Sequence, residues 1–99
     1  MFKILTPVHP GEILREEYLK PLKMSAGALA KMLNVPRTRI ERLASEQTPV
    51  TTDTALRLAR YFRTTPDFWL NLQASYNLSV EAPALTDELL AIPERDFAA

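Results

Sequence analysis

A chain of 99 residues with 46% apolar and 24% charged side chains has the composition of one globular domain with a single modest core, and not that of a disordered segment. The absence of cysteine removes disulfides and thiolate chemistry and fits a cytoplasmic home. No apolar run approaches a membrane span, and the opening "MFKILTPV" does not make a secretory leader. The formal charge of zero is a cancellation. Residues 23–63 carry eight basic against three acidic side chains, and residues 64–99 carry one basic against six acidic ones. Such asymmetry suits an anionic partner for the middle of the chain and a cationic one for its end.

Eight prolines against two glycines point to helices opened by proline rather than to glycine-rich turns. The first helix is expected at "HPGEILREEYLKPL". Pro10 takes the first position, Glu12 lies at the positive end of the dipole, Ile13, Leu14 and Tyr18 recur at helical spacing, and Pro21 ends the helix. The second is "SAGALAKML", with Ser25 as N-cap, a buried stripe of Leu29, Met32 and Leu33, and Asn34 as a left-handed stop. Three residues later a third helix begins, running from about Pro36 to Ser45, which is the spacing of a helix-turn-helix. The fourth, "TTDTALRLARYF", is capped by Thr51 or Thr52 and turns Ala55, Leu56, Ala59 and Phe62 inward. In the fifth, "TPDFWLNLQASYNL", Thr65 caps and Pro66 leads, and Phe68, Trp69, Leu72 and Tyr76 form a wide apolar stripe serving the core or a dimer contact. After residue 78 the periodicity fades, apart from a short helix at "TDELLAI". The reading is an all-α, five-helix domain over residues 1–78, with its motif at 25–45, and a short acidic C-terminal tail over residues 79–99.

On the third helix, Ile40, Leu43 and Ala44 share one face, and at 100° per residue Thr38, Arg42 and Ser45 point away from it, with Arg37 and Arg39 on the flanks. An apolar anchor is thus built opposite an arginine-bearing side. His9 with Glu12 and Glu16 is the one grouping with the look of metal ligands. A lone histidine without cysteine does not make a zinc site, and His9 is read as helping to cap the first helix. The serines and threonines stand mostly at helix starts, and the single histidine has no serine partner, so no catalytic residue, metal or cofactor is expected and the chain is not read as an enzyme.

The segment "MSAGALAKMLNVPRTRIERLASEQ" resembles the phage-repressor-like (XRE) helix-turn-helix. Together with "HPGEILREEYLKPL", "TTDTALRLARYF" and "PDFWLNLQASYNL" it resembles the HigA-type, VapI-like antitoxins of that superfamily over roughly residues 6–78. That resemblance implies a homodimer that binds double-stranded operator DNA, represses its own operon and neutralises a RelE/HigB-like, mRNA-cleaving toxin. The alternative within the same fold is a stand-alone transcriptional regulator without a toxin. Carried over by position, Arg37, Thr38 and Arg42 face base edges, in keeping with the N-terminal end of a recognition helix entering the major groove. Arginine bridges guanine O6 and N7 bidentately. Ser25, Lys31, Arg39, Ser45, Gln47 and Thr48 are placed for phosphates, whose contacts fix position without reading sequence. The chain departs from the family pattern in two places. Ala26 stands where glutamine is usual, and "SEQT" replaces a basic "NGK" turn, so Glu46 would repel phosphate unless it points away or pairs with Arg42.

Overall fold

The structure, a computed structural model, describes residues 7–98; the first six residues of the opening stretch lie outside the described residues. Six helices follow one another among the described residues. Helix α1 covers residues 10–22, α2 Ala26–Leu33, α3 Arg37–Ala44, α4 Thr52–Phe62, α5 Pro66–Ala84 and α6 Thr86–Leu90.

The start of α1 explains the local sequence "HPG". His9 is the N-cap, and its Nδ1 accepts a hydrogen bond from the Gly11 amide at 2.9 Å, while Pro10 occupies the first turn, where its missing N–H costs nothing. Gly11 has no substitute there, because a Cβ at that position would collide with the Leu43 carbonyl oxygen at the end of α3. The expectation that Pro21 ends the helix is corrected. Leu14–Leu19 winds as a π-helix, Lys20 N–H donates to the Arg15 carbonyl, and the helix carries Pro21 through to Leu22. The wider winding relieves the clash that a proline ring makes with the carbonyl four residues back. Chain reversal waits for Lys23, whose φ is 53°.

Ser25 caps α2 by accepting from the Ala28 amide, and Asn34 stops it in the left-handed conformation at φ 60°. Pro36 serves as the N-cap position of α3. Of the two threonines before α4, Thr51 is the cap, and its hydroxyl accepts from the Thr54 amide. Thr65 does the same for α5 through the Phe68 amide. Helix α5 runs past Leu78 to Ala84 with Pro83 in its last turn, and α6 falls within "TDELLAI".

Thirteen buried apolar residues close the core: Leu14 and Leu19 from α1, Leu29, Ala30 and Leu33 from α2, Ile40, Leu43 and Ala44 from α3, Val50, Ala55, Leu58 and Ala59 from the α4 region, and Trp69 from α5. Two expected core residues are instead on the surface: Met32 is 59% and Leu56 54% exposed. Both border one concavity on the outer side of α2 and α4, and Leu58, fully buried, fills the place assigned to Leu56. Trp69 is sealed among Tyr18, Phe62 and Phe68, and its indole N–H donates to the Thr64 hydroxyl at 2.9 Å. Of the α5 stripe, Trp69 belongs wholly to the core, Leu72 and Tyr76 are half-buried, and Phe68 remains exposed.

Candidate nucleic-acid interface

The anchor expected for α3 is present: Ile40, Leu43 and Ala44 are buried, and Arg37, Thr38, Arg39, Arg42 and Ser45 are all exposed. Two arginines from flanking helices hold the carboxyl ends of the paired helices. Arg57 of α4 donates from Nη1 to the Leu33 carbonyl at the end of α2, 2.9 Å. Arg15 of α1 donates from Nη1 to the Ala44 carbonyl at the end of α3, 2.5 Å. Each supplies positive charge where a helix dipole ends negative and satisfies a carbonyl that has no partner within its helix. Both roles depend on contacts 24 and 29 residues apart in sequence, which no local pattern reveals. Arg57 is therefore a brace rather than part of a freely solvated α4 face.

A second brace positions the turn after α3. The buried Gln73 of α5 accepts from the Val50 amide through Oε1 at 2.7 Å and donates from Nε2 to Asn77. The α3 end itself closes with Glu46 at φ 66°, Gln47 N–H donating to the Arg42 carbonyl and Glu46 N–H to that of Leu43. Glu46 does not pair with Arg42. Its carboxylate accepts from Arg15 Nη2 at 3.0 Å, which draws it toward α1.

The arginines of α3 divide by partner. Arg37 Nε donates to Glu41 at 2.7 Å, and Arg39 Nη1 to Asp53 at 2.5 Å. Asp53 also accepts from Arg57, and Arg57 and Arg39 together hold its carboxyl below the usual carboxylate range. Arg42 has no ion-pair partner among the described residues. Two concavities flank the helix. One, of about 360 Å³, lies against the α4 start and is bordered by Thr38, Arg39, Arg42, Thr48 and Asp53. The other, of about 470 Å³, lies at the α2 start and is bordered by Ser25, Gly27, Lys31, Arg37 and Glu41. The residues expected at bases and most of those expected at phosphates therefore border one helix and its two margins. Gln47 and Ser45 stand exposed on the turn at its end. The sequence reading missed Glu41, Asp53 and Gly27; the i to i+4 spacing of Arg37 and Glu41 was the one local sign of any of them.

A rigidly backed helix, exposed between two concavities and joined through a three-residue turn to a capped neighbour, defines a helix-turn-helix domain of the DNA-binding fold. The helix-turn-helix family model HTH_3 matches residues 16–69. Virulence-associated protein I of Dichelobacter nodosus is 56% identical over 73 residues, covering 74% of this chain and 68% of the relative. The Pseudomonas aeruginosa antitoxin HigA, solved with the higBA promoter, superposes with a TM-score of 0.85 at 39% identity over 90% of this chain and 97% of that one. The antitoxin GraA in complex with its operator gives 0.86 at 40% identity over 99% of each chain. The chain belongs to the XRE-type helix-turn-helix family, in the branch that holds the HigA antitoxins and the VapI-like proteins.

No metal-binding cluster of His, Cys, Asp or Glu is found among the described residues, and no described helix is long and apolar enough to cross a membrane.

Proposed function

We propose that this chain is an antitoxin that binds operator DNA as a twofold dimer, represses its own operon and neutralises a HigB/RelE-like toxin. The observation that carries the DNA part is Arg42. It is exposed on the side of α3 opposite Ile40 and Leu43, without an ion-pair partner among the described residues, and it has Thr38 one turn before it. A guanidinium so displayed is free to address guanine in the major groove. Related antitoxins solved with promoter and operator DNA support the same use of the fold. In a twofold dimer, two such helices would read half-sites about 34 Å apart.

The roles differ within the face. Arg42, Arg37 and Thr38 read bases, whereas Arg39, Ser25, Lys31, Ser45, Gln47 and Thr48 hold phosphates. Fluorescence anisotropy with the chain's own upstream DNA and a scrambled duplex, each at two salt concentrations, tests this. Arg42→Ala should lose on the order of 5- to 150-fold of the preference for the operator, corresponding to ~1–3 kcal/mol for a bidentate base contact. Arg39→Ala should weaken both duplexes alike and reduce the salt slope by about 1. Equal losses on both duplexes for both variants would refute the division. The toxin part is supported by the exposed acidic residues Glu81, Asp87, Glu88, Glu94 and Asp96, a field that attracts a basic protein. Co-expression with the product of the adjacent gene should yield a complex that survives purification. Operator binding with no such complex would leave the stand-alone regulator.

A further inference from the structure

The Arg37–Glu41 pair stands where helix stability does not call for it. Arg37 is the first residue of α3, at the positive end of the helix dipole, and the arginine precedes the carboxylate. The order that best supports a helix is the reverse. The pair is made through Nε alone, so both Nη groups of Arg37 are without a hydrogen-bond partner among the described residues. The stem of the same side chain lies over Gly27 of α2: a Cβ at Gly27 would stand 3.2 Å from Arg37 Cδ and 3.6 Å from Cγ. Gly27 has an ordinary helical backbone in a position where alanine would serve the helix better. Side-chain room is therefore the property its lack of a Cβ provides.

We infer that Glu41 and Gly27 are positioning residues for sequence reading: the Glu41 carboxylate fixes the guanidinium plane of Arg37 through Nε, and Gly27 leaves the seat for its stem, so that the two Nη groups are presented together to one base edge. This rests on the operator-binding reading above. A guanidinium restrained at Nε loses less freedom when it meets guanine O6 and N7. Glu41 is also a negative charge beside the groove, which disfavours contact with phosphate where no base edge rewards it. Both effects act on discrimination rather than on raw affinity.

Gly27→Ala and Glu41→Gln separate this from a structural role. Each variant is titrated against the upstream operator and a scrambled duplex of the same length, and its thermal unfolding is recorded. Gly27→Ala should keep or raise the melting temperature, because alanine is the better helix former, and yet lose on the order of three- to tenfold of the operator preference. Glu41→Gln should tighten binding to the scrambled duplex and tighten the operator less or not at all. Arg37→Ala should lose a similar preference, and adding Gly27→Ala to it should cost nothing further. Equal weakening of both duplexes by Gly27→Ala would mean that Gly27 admits a phosphate. Equal tightening by Glu41→Gln would mean simple repulsion. Either result overturns the inference while leaving operator binding intact, whereas failure of the unmodified chain to prefer the operator would refute the underlying reading.

Discussion

His9 shows how much one side chain does at the start of α1. Its Nδ1 must remain an acceptor to cap the Gly11 amide, and its ring packs edge-on against Tyr76, centroids 4.8 Å apart. Burial pushes its pKa below the ordinary imidazole value, against an opposing pull from Glu46. Between the lowered folded value and about 6.5 the unfolded chain binds more protons than the folded one, so stability rises with pH across that window. The contribution is complete above about 6.5 and is lost as pH falls toward the folded value. Urea unfolding between pH 7.5 and pH 5 should show this decline, and a His9→Asn variant should be flatter over the same range. A parallel decline in the variant would assign the effect instead to the ion-paired carboxylates Glu16 and Asp53, which their cationic neighbours hold below the usual range. The capping role was legible from "HP" before an amphipathic run. The use of Gly11 to admit the Leu43 carbonyl was not, because nothing local says which backbone will approach. Trp69 was likewise legible as apolar but not as wholly internal, so replacing it with alanine reports core stability, ~3–5 kcal/mol for such a truncation, and is no probe of dimer formation.

At the scale of elements, the first four helices end by one repeated device. Lys23, Asn34, Glu46 and Arg63 all take positive φ, between 53° and 66°, and the amide after each returns to the carbonyl five residues before it. This is the closure glycine usually serves, built here without glycine. It explains why the left-handed stop was readable at Asn34, an accepted residue for it, whereas at Lys23 and Arg63 the same conformation was not, although the fourth helix was read to end at Phe62: lysine and arginine carry no local sign of it. Pro21 looked like the terminator because proline ordinarily is one, and the π-wound stretch before it removed the conflict. Positive φ is disfavoured for a residue with a Cβ by roughly 1–2 kcal/mol, part of which glycine's greater unfolded-state entropy takes back. Lys23 is exposed and makes no ion pair among the described residues. Lys23→Gly should therefore stabilise the fold by about 0.5–1 kcal/mol, measured as a higher urea midpoint at unchanged slope. A lower midpoint would mean that the lysine stem, and not the backbone angle, matters at this turn.

For the whole molecule, the division between core and arm bears on how the proposed dimer would bring two recognition helices to one duplex. The protein measures 57 Å along its longest axis and 27 Å across, and its buried residues stop at Gln73. From Leu78 onward the apolar side chains are exposed, Leu78 at 68%, Leu90 at 79% and Phe97 at 90% among them. The sequence disclosed that this end is acidic but hid the helix continuing to Ala84, since Pro83 and the fading periodicity both argue for a break. An arm that adds nothing to its own core yet displays leucines along helical turns is where the proposed dimer would seat its second copy. Deleting residues 79–99 should leave Trp69, Gln73 and the braces at Arg15 and Arg57 in place, so at dilutions where the full chain is itself monomeric the two melting temperatures should agree. Sedimentation should then find a monomer where the full chain gives a dimer. Affinity for a palindromic operator should fall by on the order of 10²-fold or more, because linked half-site binding is lost, whereas affinity for an isolated half-site should not change. A truncated chain that still sediments as a dimer would move the interface to the α5 segment that bears Phe68 and Leu72. A truncated chain that unfolds at lower temperature even at those dilutions would instead assign the arm to the stability of a single subunit.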